Sequence, residues 1–482
     1  MTLPARAPFL AILAGLVASL AVSDRLVSWA LPPVALAVVC GMMLTSFRVA
    51  LRGQLRVAAF TIFVAFCCSS WIAFSLGRRP ALPSFVRTVG TVVESRPWGR
   101  LHVVAVNTEQ GGFILKLPFA ELVEGQRVRI EGTPRPLRGG GTGSDFREDR
   151  YWYARGMTAQ MTSVKFEILP FEILPRRGWS IHRWRHALYR SLALFMPQRT
   201  GEYLNAAWTG KRDRELNEKH RLWGTSHLLA VSGFHVGILM LGASLIFRRG
   251  MGRVPCLSLL LWFYVLSTGG SSSAVRAGTM IQTALLGELV GRPGRAINSV
   301  SLAATVLLVH SPFRFWDIGW RLSVLAALVI AAALERDASG NRRGQVSNPV
   351  FISPLIWVAT YPQVAWTFDS VPLAGLLINF FAPAFFSFAL PVGSVIAALR
   401  LAGVPGTGFL LRLVEWLFVL WESVADAFAY LIPWQLSWSP FFVHCCAAAS
   451  IALLCRAFFV PWRGVLLLAP LGSLATFLLF IA

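Results

Sequence analysis

The sequence predicts a polytopic α-helical membrane protein carrying a small inserted β-barrel domain of the oligonucleotide/oligosaccharide-binding (OB) kind. Three observations predict it. Of the 482 residues, 55% are hydrophobic and only 14% charged, with a mean hydropathy of +0.59; a soluble domain of this length carries roughly a quarter charged residues. Apolar runs that approach the ~30 Å hydrocarbon core at about 1.5 Å rise per residue recur along most of the chain. Between residues 81 and 175 that pattern gives way to short alternating strands with glycine turns.

Residues 1–80 supply three apolar runs, near 8–23, 26–46 and 57–76. Arg6 precedes the first as it would in a signal peptide. The next run follows at once and no small-x-small cleavage site stands out, which predicts an uncleaved first span. Arg48, Arg52 and Arg56 between the second and third runs place that loop in the cytoplasm. The polar region after Leu76 is then periplasmic, or extracytoplasmic in a single-membrane cell.

Within 81–175, Val86–Val93, Leu101–Val106, Phe113–Leu117 and Gln126–Glu131 read as strands, with turns at Gln110-Gly111-Gly112 and Glu124-Gly125. Five or so strands in so short a stretch fit a small barrel, and the OB fold leads the candidates. Trp98, Phe113 and Phe119 are base-stacking candidates, with filling of the barrel core as the alternative.

Residues 176–226 form a basic connector; 176–221 hold eleven Lys+Arg against four Asp+Glu. Trp179–Met196 reads as an amphipathic helix, with Ile181, Trp184, Leu188, Leu192 and Phe195 on one side and Arg183, His186 and Arg190 on another. Pro197 ends it, and a second helix is expected with Thr200 as N-cap and Gly210 just past its end. Such a helix lies in the headgroup layer or guides a polyanion; both readings stand.

From His227 onward, spans are expected at 227–247, 254–270, 274–290, 296–312, 318–334, 350–367, 373–399, 405–432, 441–459 and 463–481. The loops with Arg248, Arg249 and Arg253, with Arg292 and Arg295, and with Arg336, Arg342 and Arg343 all fall inside under one topology. All seven cysteines lie in or beside apolar runs, none within 81–226, which excludes a disulfide framework or cysteine-based zinc site there. No GxxxxGK[ST] phosphate loop occurs, so energy for transport is expected from a partner ATPase, an ion gradient or capture of the transported molecule in the cytoplasm.

The segment Gly224-Thr-Ser-His-Leu-Leu-Ala-Val-Ser-Gly-Phe-His-Val-Gly237 closely resembles the signature of the ComEC family of competence proteins. Trp208-Thr-Gly-Lys-Arg-Asp213 is similar to its lead-in, and Leu266–Met280 to a glycine/serine break followed by an Arg-Ala helix start. Asp317–Ser323 and Ile378–Pro383 resemble two further family segments, and Tyr151–Gly156 resembles the close of the family's OB domain. The resemblance implies an inner-membrane channel, not an enzyme and without cofactor or metal, that carries single-stranded DNA into the cytoplasm during natural transformation. It implies as partners the strand, membrane lipid, a periplasmic DNA receptor, and a cytoplasmic ATPase or single-strand-binding protein. Family members often add a metallo-β-lactamase-like domain; no His-x-His-x-Asp-His cluster occurs here, which points to a separate nuclease. Arg321 stands where the family more often has glutamine.

The resemblance puts His227, Ser232, Gly233, His235, Gly237, Arg276 and Asn379 along the passage. On a straight helix His227 and His235 are about 12 Å apart in rise, too far to share a metal ion. Ser232 and His235 could touch, as in a hydrolase, though no acidic residue nearby would orient the histidine. Gly233 and Gly237 allow close helix packing, while polar residues within a span call for protein or water around them. Arg276 is either an interfacial, snorkelling residue or a phosphate contact, and Asp317 is placed to pair with Arg321. A membrane hydrolase and a transporter of smaller anions are the rival functions.

Overall fold

A computed structural model of the chain describes residues 8–21, 51–77, 82–98, 101–118, 124–137, 148–169, 181–229, 233–248, 252–291, 295–333, 352–437 and 439–457, with isolated positions between them. The expected apolar runs at 26–46 and 463–481 lie almost wholly outside these residues, as do Phe119 and Ser232. Among the described residues, two helices open the chain, α1 (Pro8–Ala21) and α2 (Leu51–Gly77). Arg52 and Arg56, expected in a loop, fall inside α2.

Five strands follow: β1 (Val86–Trp98), β2 (Leu101–Thr108), β3 (Gly111–Leu117), β4 (Arg127–Pro136) and β5 (Met157–Ile168). They bond in the order β1-β2-β3-β5-β4, and β4 returns to β1, so the sheet closes on itself. Only β3 and β5 run parallel. Val86, Val104, Val106, Phe113, Leu115, Val128 and Ile130 fill the interior. Phe113, a stacking candidate from sequence, is therefore a core residue, 2% exposed. The short helix α3 (Glu148–Tyr153) lays Trp152 over Val103, Ala105 and Ile114, which explains why β2 is buried on both faces.

The connector is α4 (Ile181–Phe195), α5 (Gln198–Thr209), α6 (Arg214–Leu222) and the single turn α7 (Ser226–Leu229). Gly210, in the left-handed region, ends α5 as expected, but Pro197 and not Thr200 begins it. Asp213 caps α6 through the Leu216 amide.

The remaining helices are α8 (Gly233–Ile246), α9 (Arg253–Ser267), α10 (Ser272–Leu289), α11 (Ala296–His310), α12 (Ile318–Ala333), α13 (Ile352–Phe368), α14 (Ala374–Leu401), α15 (Thr407–Leu431) and α16 (Pro440–Ala457). A 3-10 turn (Pro312–Trp316) precedes α12, and the short strands β6 (Ser370–Pro372) and β7 (Gln435–Ser437) pair antiparallel. The expected span 227–247 is thus broken between Leu229 and Gly233, and the straight-helix geometry for His227 and His235 does not apply. Among the described residues, Ala59–Gly77 and Ala374–Leu401 are long and apolar enough to cross a membrane, and six further apolar helices are shorter.

Two packing facts orient the bundle. Arg253, at the start of α9, pairs with Glu288, at the end of α10, so those ends lie together. The closed sheet docks at the other end: Tyr153 stacks on Phe313 at 4.8 Å between centroids, and the Arg150 guanidinium sits 4.4 Å from the Trp316 ring. Large apolar side chains turn outward, among them Phe63 (65% exposed), Leu259 (75%) and Trp416 (75%).

Candidate functional site

The site is built from helix faces. On α10 the positions Ser273, Arg276, Ala277, Met280, Ile281 and Ala284 recur every three or four residues along one side. On α12 Ile318, Leu322, Ala326 and Ile330 do the same, and on α13 Ile352, Ile356, Thr360 and Val364. These faces line an open cavity of about 3660 Å³, well beyond the roughly 300–1,000 Å³ of a small-molecule pocket. Arg295 and His310, at opposite ends of α11, both line it. The cavity therefore reaches both ends of that helix, about 22 Å apart at about 1.5 Å per residue.

The walls between the ends are mostly apolar; the charges gather at the sheet-facing end. There Arg155, Arg185, Lys211, Arg276 and Arg314 face Glu94, Glu124 and Asp317. Glu124, from the β3–β4 connection, forms ion pairs with Arg185 of α4 and, at 3.5 Å, with Lys211. Arg185 Nε also donates to the Thr209 carbonyl at 2.6 Å. A Cβ on Gly269 would collide with this guanidinium; Gly269, at φ +78°, lets the α9–α10 turn close over it. Arg185 thus joins sheet, connector and bundle at one point. Burial lowers the Arg185 and Lys211 proton affinities, and Glu124 partly restores them.

A second ionic cluster fixes the connector. Arg199 reaches Glu202 at 2.9 Å, Glu215 at 3.0 Å and Glu422 at 3.3 Å, and Lys219 reaches Glu422 at 2.9 Å. These partners hold the Arg199 proton affinity above its ordinary value against the cost of burial. Glu415 accepts from the Arg199 and Thr200 amides and the Thr200 hydroxyl at 2.7–2.9 Å, capping α5 from outside it. Trp223 Nε1 donates to Asp426 at 2.8 Å. Glu415, Glu422 and Asp426 therefore share the inner face of α15, while Phe409, Leu413, Trp416 and Leu420 on the other faces stay exposed.

Of the residues expected along a passage, His227, Gly233, Gly237, Arg276 and Asn379 line the cavity. His235 does not; it is 8% exposed and meets the Phe234 ring edge-on. Gly237 is not a packing glycine, because a Cβ there meets nothing within 4 Å; at Gly233 it meets Ala277 at 3.4 Å. Arg276, 1% exposed, does not snorkel. Asp317 and Arg321 form no ion pair: Arg321 Nε donates to the Phe315 carbonyl at 2.6 Å, and Asp317 accepts from the Gly319 amide. Asn379 Nδ2 donates to the Gly224 carbonyl at 3.3 Å. His186 lines the cavity, with burial and nearby Lys211 and Arg190 lowering its proton affinity, and Arg190 is exposed. Arg183 and Trp98 lie within α4 and β1.

The residues 208–464 match the family model described as "Competence protein". This chain belongs to the ComEC family of competence proteins. ComE operon protein 3 of Bacillus subtilis (strain 168) is 28% identical over 262 residues, covering 52% of this chain and 33% of that protein. A protein of Aquifex aeolicus (strain VF5) is 28% identical over 204 residues, covering 42% of this chain and 48% of that protein. The chain thus matches about a third and about half of the lengths of these relatives. No solved structure matches it.

The family segments converge on the cavity: Gly224–Gly237, Leu266–Met280, Asp317–Ser323 and Ile378–Pro383 each contribute lining residues. Sequence reasoning missed Glu124, Arg185, Arg314, Glu415 and Glu422. Carboxylates at 415, 422 and 426, spaced seven and four apart on an apolar helix, were a legible signal that one face meets cations. Glu124 and Arg185 carried no such signal, since their pairing depends on how the sheet docks.

Proposed function

We propose that the chain is a polytopic inner-membrane conduit that carries single-stranded DNA into the cytoplasm during natural transformation, with its closed sheet an OB-like domain on the outer side. The observation that carries this reading is the cavity, which runs along the helix axes from a cation-rich end under the sheet to Arg295 at the far end. Arginines at the entry capture phosphates, and a mostly apolar wall offers few strong traps to a moving polyanion. The exposed apolar side chains on the outer faces, Phe63, Leu259 and Trp416 among them, supply a lipid-facing surface. Arg253, Glu288 and Arg295 then lie on the cytoplasmic side, as the positive-inside pattern requires.

In this reading His227, Arg276 and Asn379 act in passage, and no catalytic step falls to the described residues. A periplasmic receptor delivers DNA, a separate nuclease removes one strand, and an ATPase or single-strand-binding protein draws the other inward. The test is the internalisation of labelled DNA by a deletion strain of a naturally competent host. Loss of cytoplasmic label with surface binding retained supports the conduit; unchanged internalisation contradicts it.

A further inference from the structure

The sheet-facing end of the cavity holds more cationic donors than its own acceptors satisfy. Arg276 Nη1 donates to the Trp320 carbonyl at 3.4 Å, while Nη2 is buried without a partner. Arg314 Nε is also buried without a partner, and both arginines line the cavity. The charge of Asp317 acts on Arg276, Arg314 and Arg321 alike. It forms no ion pair with any of the three among the described residues, and one of its oxygens accepts from Gly319. Arg321 is occupied elsewhere, bonded to the Phe315 carbonyl with its guanidinium 4.7 Å from the Phe315 ring.

A buried guanidinium donor with no acceptor is costly, so two beside the same carboxylate call for an acceptor that arrives with a ligand. We infer that Arg276 and Arg314 form an oxyanion subsite in the cavity wall that holds one phosphodiester group of a passing strand. The inference rests on the conduit reading. A guanidinium presents forked donors that match two phosphate oxygens, and a phosphodiester carries one negative charge. Asp317 already offsets part of the local positive charge, so the bound group is held loosely enough to move on. That balance is what conduction through any site demands. Inorganic phosphate and lipid headgroups share this chemistry, so the experiment separates the sources.

The experiment measures binding of a labelled oligo(dT) strand to the full-length protein in phosphate-free detergent, as a function of salt. In Arg276→Gln and in Arg314→Gln, the slope of log affinity against log salt should shrink by about 0.7, the value of one phosphate contact on a single strand. The double variant should shrink it no further, because one group is lost in each case, and Arg276→Lys should retain most of it. Arg314, nearer the surface than Arg276, provides the reading if the deeper substitution impairs folding. Unchanged slopes with wild-type binding intact overturn the subsite and leave the conduit standing. Absence of wild-type strand binding overturns both. If inorganic phosphate, or an anionic-lipid vesicle, raises the melting temperature of the wild type only, with strand slopes unchanged, the site serves that source and the assignment to a strand is overturned.

Discussion

Asn379 Nδ2 donates to the carbonyl of Gly224 at 3.3 Å and ties the second turn of the chain's longest described helix to the turn before the histidine segment. The two backbones meet closely beside that bond. Gly224 has φ +69°, and a Cβ on it would stand 3.1 Å from the Gly375 Cα; a Cβ on Gly375 would stand 3.1 Å from the Trp223 carbonyl oxygen.

Gly224→Ala meets both an unfavourable backbone conformation and a crowded neighbour, whereas Gly375→Ala meets only the crowding. We expect losses of about 2–3 and about 1 kcal/mol respectively. Thermal melting of the purified variants checks the order as well as the size; equal losses would mean that Gly224 is not strained.

Glu124→Gln removes the buried carboxylate that Arg185 and Lys211 share and leaves two partly buried cations facing each other. Breaking a buried pair in this way costs about 3–5 kcal/mol. The loss should appear first as undocking of the sheet: faster hydrogen exchange around Glu124–Gln126 and in α4, with the core of the sheet still protected. Uniform loss of protection across sheet and helices would show that the latch is not local.

Glu415→Ala strips two amides and a hydroxyl of their shared acceptor at the start of α5. About 2–3 kcal/mol is expected from lost charged hydrogen bonds, with Glu415→Gln losing less because it still accepts. Melting temperatures in the order wild type, Gln, Ala test this.

His220 is fully buried, its Nε2 3.0 Å from the Tyr203 hydroxyl and its Nδ1 2.9 Å from that of Thr225. Burial pushes its pKa down to about 4, against about 6.5 in an unfolded chain. Because the folded value is the lower one, the unfolded chain takes up the proton first. Stability from this residue is therefore fully present above pH 6.5 and declines as pH falls toward 4, by about 3 kcal/mol in all. Melting curves between pH 7 and 4 should show a steeper loss in wild type than in His220→Gln; parallel curves would rule out His220 as the source.

How much of this was legible in sequence follows from the range of each interaction. Alternation in 86–131 located β1 to β4 within a few residues, and the length of the apolar runs located α9 to α15, because both depend on neighbours in the chain. The break between Leu229 and Gly233 escaped, since apolar residues continue through it. A phenylalanine at 113 suits a stacking surface or a barrel core, and only closure of the sheet decides for the core. Asp317 and Arg321 have the spacing of a helical pair, yet Asp317 stands before α12 begins and Arg321 turns back to Phe315. The faces of α10, α12 and α13 that line the cavity carry mostly Ala, Ile and Leu, whose pattern does not distinguish a wall from a core.

The most direct measurement narrows the cavity without touching its charged end. Gly237 lines it and a Cβ there meets nothing within 4 Å, so Gly237→Trp places an indole in the passage. Gly242 lies on the same helix with equally open space but outside the lining, which makes Gly242→Trp the matched control. Transfer of labelled DNA to the cytoplasm of a competent host should fall at least tenfold in Gly237→Trp, with surface-bound DNA and protein level unchanged, and stay near wild type in Gly242→Trp. Wild-type transfer through the Gly237→Trp protein would contradict passage of DNA through this cavity.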